Sequence, residues 1–155
     1  MRARNRFTVV GLLCACAMGA GPAVAQDEGL SAQDCFVPAF KAGDADAVAA
    51  CYAEDGIIWF PGGPMAQGRT AIRDGFAGFF ERNTIKDFRL DAMGQERMGT
   101  AMASWGTYSI RMANKETGAE STETGRFTDV SKLIDGRWLY VVDHPSDDPP
   151  AKEQE

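Results

Sequence analysis

The sequence predicts an α+β fold: three N-terminal helices closing one end of a curved antiparallel β-sheet, a cone with a hollow interior. Three observations carry this. The chain before residue 85 reads as short capped segments of helical period, interrupted by one strand-like run. From Ile85 onward, apolar and polar residues alternate at period two, the signature of half-buried strands. Asp135-Gly136 then separates two such runs as a two-residue hairpin turn, which needs the positive φ that these residues tolerate.

Ser31 is the N-cap of the first helix, with Asp34 placed for a capping box and Leu30 for a hydrophobic staple. The helix runs to about Ala42 with Phe36 and Phe40 one turn apart on its apolar face. Pro38 lacks an N–H and predicts a kink or a late start. Gly43 stops it. Asp44 caps a second helix ending near Glu54, with Val48, Cys51 and Tyr52 as its inward stripe and Gly56 as its stop. Ile57–Phe60 is a short strand of strong β-formers, and Pro61-Gly62-Gly63-Pro64 is a turn. Thr70 caps the third helix, which carries Ile72, Phe76, Phe79 and Phe80 at helical spacing.

In the sheet, Phe88, Leu90 and Ala92 alternate with Arg89 and Asp91, and a turn follows near Gly99. Ala101–Met112 is a long strand, Asn114–Glu120 a polar hairpin loop and Ser121–Ile134 another strand. The last strand is Trp138–His144. From Pro145 the chain reads as a disordered tail, residues 147–155 falling outside the domain at 26–146.

Residues 1–25 read as a cleaved signal peptide. Arg2, Arg4 and Arg6 precede an apolar run too short to span a bilayer, and Ala23-Val24-Ala25 offers a cleavage site. Leu13-Cys14-Ala15-Cys16 resembles a lipobox, so a lipid anchor at Cys16 stands as the alternative to soluble export to the periplasm or outside. The leader holds three of the 16 Lys+Arg and none of the 22 Asp+Glu, which leaves 13 against 22, a net charge of −9. That balance opposes nucleic-acid binding, which needs clustered cations. No later segment is apolar enough to span a membrane.

Cys35 and Cys51 survive cleavage and, in an oxidising compartment, suggest a disulfide between two helices; two buried free thiols are the alternative. One histidine and no Cys-x-x-Cys argue against a metal site. Neither a phosphate loop nor a dinucleotide fingerprint is present, so no cofactor is implied.

Alternation decides which polar residues face the hollow. On the third long strand Gly125, Phe127, Asp129, Ser131 and Leu133 share one face, opposite Arg126 and Lys132. Asp129 therefore sits among apolar neighbours, where a carboxyl stays protonated more readily and can donate or shuttle a proton. A structural Asp satisfied by nearby donors is the other reading. On the last strand Asp143 shares a face with Leu139 and Val141, and His144 lies on the opposite face with Trp138, Tyr140 and Val142. Asp143 and His144 are thus rivals for the interior. Tyr108 is a candidate donor. Phe36, Phe60, Phe76, Phe80 and Phe127 are candidate ligand walls, with Trp59, Met65 and Met93 at the mouth.

Five phrases run in order through the chain: Ala39-Phe40-Lys41-Ala42-Gly43-Asp44, Cys51-Tyr52-Ala53-Glu54-Asp55-Gly56, Gly68-Arg69-Thr70-Ala71-Ile72, Asp135-Gly136-Arg137-Trp138 and Asp143-His144. Together they resemble the SnoaL-like, ketosteroid isomerase-like branch of the nuclear transport factor 2-like superfamily, over roughly residues 31–146. The resemblance implies a dimer through the outer face of the sheet and activities ranging from isomerases and cyclases to binding domains. The isomerase's general base falls at Phe60 before Pro61, its oxyanion tyrosine at Phe36 and its protonated aspartate at Asp129. Two of those three parts are missing, which disfavours that mechanism, while cyclase-like relatives imply an acid/base role for Asp129 or Asp143. The expected function is an exported domain binding a small apolar or amphipathic molecule, with proton-transfer chemistry if any. The alternative is a non-catalytic dimeric interaction module. Asp129→Asn is expected to change ligand affinity or turnover with little change in melting temperature.

Overall fold

The structure, a computed structural model, describes residues 31–148. The leader, the Leu30 staple and the residues from Pro149 onward lie outside that range. Helix α1 (Ala32–Ala42) begins on the expected capping box. The Asp34 N–H donates to Ser31 Oγ at 3.2 Å and the Ser31 N–H to Asp34 Oδ2 at 2.8 Å. Pro38 lies inside the helix without ending it, and Gly43 closes it at φ 67°.

Helix α2 (Ala45–Ala49) is shorter than its sequence pattern suggests. Val48, Cys51 and Tyr52 are all fully buried, but Cys51 and Tyr52 lie beyond the helix. The last strand captures the chain there, the Tyr140 N–H donating to the Cys51 carbonyl at 2.9 Å. Strand β1 (Tyr52–Trp59) therefore starts at Tyr52, and Gly56 sits within it rather than stopping a helix. A tight turn over Pro61–Pro64 leads to β2 (Met65–Gln67), a three-residue edge strand that the pattern does not announce. Helix α3 (Arg69–Arg82) begins at Gly68, φ 81°, so Thr70 is inside the helix and not its cap. Arg69 ties it to β1, donating to the Tyr52 carbonyl at 2.7 Å and to Glu54 at 2.8 Å.

Four long strands follow: β3 (Asn83–Met98), β4 (Ala101–Asn114), β5 (Glu120–Ile134) and β6 (Arg137–Asp147). Asp135 and Gly136 take φ values of 50° and 75°, as their hairpin requires. Pro145 and Ser146 continue β6 opposite Phe127 and Arg126, so the strand outruns the expected tail. The six strands lie in the order β2-β1-β6-β5-β4-β3, a curved and unclosed sheet. All neighbours are antiparallel except β1 and β6, which run parallel.

The helices cover one end of the concave face around an aromatic core. The Phe36 ring lies between 5.6 and 6.3 Å from those of Phe40, Tyr52, Phe76, Phe88 and Tyr140. The Phe40 pair is stacked and the other four are edge-to-face, and aromatic pairs of both kinds each add about 0.5–1.5 kcal/mol beyond the area they bury. Cys35 and Cys51 are joined in a disulfide, which is consistent with an oxidising compartment. It links α1 to the α2–β1 junction rather than two helices. No helix among the described residues is long and apolar enough to cross a membrane.

Candidate functional site

Strand β5 places Gly125, Phe127, Asp129 and Ser131 on the buried concave face, with Arg126 and Lys132 exposed on the other. Asp129 is only 2% exposed. Its neighbours across the ladders are Ser104 on β4 and Asp143 on β6, and Asp143 in turn lies beside Ile58 on β1. Directly opposed residues have Cβ atoms about 4.5–5.5 Å apart, so two carboxyls share one small patch of wall.

Asp143 faces inward, but not for the reason its register suggests. The pairing passes from Val130–Val142 to Ser131–Tyr140, leaving Val141 as an extra residue in β6. This bulge switches the parity of the strand. Trp138 and Tyr140 are therefore on the buried face before it, and Asp143, Pro145 and Asp147 follow on the same face after it. His144 points to the outside, where its ring lies 5.7 Å from that of Trp59.

Each acid has a dedicated donor. The Tyr52 hydroxyl donates to Asp143 Oδ2 at 2.6 Å, and Gln33 Nε2 on α1 donates to Asp129 Oδ2 at 3.3 Å. Burial raises the Asp143 pKa from 3.8 to about 7, with the Tyr52 hydrogen bond opposing the rise and the charge of Asp129 adding to it. Burial likewise raises Asp129 to about 6, against the pull of Gln33 and Ser104. Tyr140, 2% exposed, forms no hydrogen bond through its hydroxyl among the described residues, and burial pushes its pKa well up.

These groups lie at the inner end of a cavity of about 1070 Å³. Phe36, Phe60, Phe76, Phe127, Met65 and Tyr108 line it, as do Asp129 and Asp143. Phe60 packs edge-on against Phe76 at 5.2 Å and lies against Gly75, where any Cβ would come within 2.6 Å of the ring. Three expected wall residues are elsewhere. Phe80 is buried in the core 5.2 Å from Phe40, Trp59 is 41% exposed on the outer face, and Met93 is the extra residue of a β3 bulge and 76% exposed. Tyr52, Tyr140 and Gln33 are the site residues that sequence alternation does not single out.

Tyr108 lies across the site further along the sheet, donating to Asp147 Oδ1 at 3.1 Å. Gly125, its partner on β5, makes room for it and for the β6 backbone, since a Cβ there would come within 2.5 Å of the Tyr108 hydroxyl and closer still to the Ser146 carbonyl. Gly125→Ala is expected to displace both Tyr108 and the β6 backbone at Ser146 and to cost about 1–3 kcal/mol or more, an overpacking penalty. Thermal melting reads it; a variant as stable as the parent would show that Tyr108 is not held there.

Residues 34–141 match the family model of the SnoaL-like domain. Comparison with curated proteins returns no match. Among solved structures the chain is similar to a ketosteroid isomerase-like protein from Erwinia carotovora atroseptica SCRI1043, with 21% identity over 77% of this chain and 92% of that one and a TM-score of 0.69. It is also similar to a nuclear transport factor 2 (NTF2-like) superfamily protein from Salmonella enterica serovar Typhimurium LT2, with 14% identity over 80% and 91% and a TM-score of 0.67. An NTF-2 like protein of unknown function from Shewanella oneidensis MR-1 gives 20% identity over 75% and 93%, with a TM-score of 0.60. At these identities the likeness is one of fold, and fold alone assigns no reaction. Since the family match begins in α1 and reaches the Val141 bulge, taking in Asp129 and more than half of the chain while ending before Asp143, the chain belongs to the SnoaL-like domain family and has the nuclear transport factor 2-like fold.

Proposed function

We propose that this is an exported protein whose cavity binds a small, largely apolar molecule and moves a proton on it, in the manner of an isomerase, cyclase or lyase. The observation that carries this reading is the pair of opposed, buried carboxyls at the inner end of an open aromatic cavity. Their pKa values, about 6 and about 7, straddle the range where one member is ionised while the other still holds its proton. The pair titrates as a unit. Near neutral pH the pair holds one proton between them, and its ionised member is the base that removes a proton from carbon. The protonated member is the acid that returns a proton to another atom of the substrate, with Tyr52 and Gln33 holding the two carboxyls in place. The cavity supports this reading over a non-catalytic module, which would call for an interior plugged by Phe36, Phe60, Phe76 and Phe80. A homodimer through the outer face of the sheet belongs to the proposal.

Solvent deuterium exchange into an apolar cyclic ketone such as β-tetralone tests it. The wild-type protein should accelerate exchange next to the carbonyl, and Asp129→Asn and Asp143→Asn should each reduce that rate by about 10²–10⁴-fold. Equal exchange by the wild-type protein and the double variant would overturn the proton-transfer role. Native mass spectrometry of the purified exported form reads ligand retention and dimerisation together.

A further inference from the structure

On the reading that this cavity binds a small molecule, we infer that its ligand is a cationic amphiphile. Its protonated amine sits at the mouth, its apolar body lies along the phenylalanine wall, and a hydrogen-bond acceptor occupies the inner end. The first argument is charge. Asp74, Glu123, Asp129, Asp143 and Asp147 line the cavity, and among the described residues Arg82 is the only Lys or Arg that does so. A carboxylate or phosphate ligand would have to enter against that field.

Asp74, on α3, is paired with Arg73 at 3.0 Å, and the other four acids fall into two groups. Asp129 and Asp143 form the inner pair. Asp147 lies four residues further along β6, about 13 Å at strand rise, where the cavity meets solvent. Glu123 shares that end of the wall. Neither Glu123 nor Asp147 has an ion-pair partner among the described residues, because the nearby Arg126 pairs with Asp148 at 3.6 Å on the other side. Burial, then repulsion from Asp147, raises the Glu123 pKa, a penalty that a bound cation would relieve. The Tyr108 hydroxyl holds Asp147 Oδ1 and leaves Oδ2 free to accept from an ammonium group.

The second argument is independent of these carboxylates. Tyr140 lines the cavity, and its hydroxyl, unpartnered among the described residues, is open to whatever occupies that end. A ligand acceptor at the inner end would give that donor its partner. The two ends together specify a molecule polar at both ends and apolar between, with the positive charge outermost.

A matched trio of probes tests this by calorimetry on the full mature chain: phenylhexylamine, phenylhexanol and phenylhexanoate at pH 7 and low salt. The amine should bind about tenfold tighter than the alcohol, the carboxylate weakest of the three, and added salt should narrow the gap. Glu123→Gln combined with Asp147→Asn should bring the amine and alcohol affinities together, with the carboxamide oxygen introduced by the second change still accepting from Tyr108. If alcohol and amine bind equally, or the carboxylate binds best, the cationic ligand is excluded and the binding cavity survives. If none of the three binds the wild-type protein, both readings fall.

Discussion

Asp143→Asn is expected to melt at a higher temperature than the wild-type protein at pH 8, and the difference should shrink toward zero as the pH falls below about 4. The sign follows from burial. The Asp143 pKa is 3.8 without the fold's influence and about 7 within it, so the folded state binds this proton more tightly than the unfolded chain does. The associated stability is fully present below about pH 4. It is lost as the pH rises through about 7, where the folded protein must also ionise a carboxyl in an apolar wall. Asp129, raised to about 6, acts in the same direction. Each pKa unit is about 1.4 kcal/mol, and the isosteric amide avoids the ionisation cost while still accepting from Tyr52. Allowing for a weaker hydrogen bond, the gain at pH 8 is about 2 kcal/mol. Melting curves of both proteins across pH 4–8 read it, and their difference cancels groups common to the two, such as Asp87, held low by Lys41. A variant less stable than wild type at pH 8 would mean that the fold favours the charged form. A variant both more stable and inactive would place Asp143 among the residues kept for chemistry at the expense of stability.

The cone and its long strands are legible because burial on one face imposes a strict two-residue period, and β5 obeys it from Gly125 to Ser131 without a break. Asp129 is found by that rule alone. The rule fails on β6, where two adjacent valines satisfy strand propensity equally well with or without a bulge between the flanking pairs. Reading β6 as regular groups Asp143 with Leu139 and Val141; in the fold Asp143 shares its face with Trp138 and Tyr140 instead. The inward acid emerges from both, but Tyr140 emerges only from the structure. Met93 has the same cause, since a single extra residue in β3 turns it out to solvent.

The missed donors have a different origin. Tyr52 continues the helical stripe of Val48 and Cys51, and all three are buried, so pattern and burial agree while the backbone does not. Which conformation the segment takes is decided by β6, more than eighty residues away in sequence, whose backbone bonds to Cys51. Gln33 is a polar residue on the first turn of a capped helix, and only the docking of α1 over the sheet brings its amide to Asp129. Long-range pairing is what local periodicity does not encode.

Replacing both Cys35 and Cys51 with alanine is expected to lower stability by about 3 kcal/mol, the loop-closure entropy returned to the unfolded chain when a bridge across 16 residues is lost. For a domain of this size that corresponds to a drop in melting temperature of roughly 10 °C. Wild-type protein held in reductant should melt with the variant; a variant melting with the oxidised parent would mean that the bridge adds nothing. The bridge also bears on the site, because it lies between the two donors that hold the acids. Cys35 is two residues from Gln33 and next to Phe36, and Cys51 directly precedes Tyr52. Loosening it frees α1 to move against β1, so the Tyr52–Asp143 and Gln33–Asp129 hydrogen bonds weaken together. Proton exchange into β-tetralone should then fall in the reduced protein below its own melting temperature, where the sheet is still folded. Loss of exchange only on global unfolding would confine the disulfide to stability.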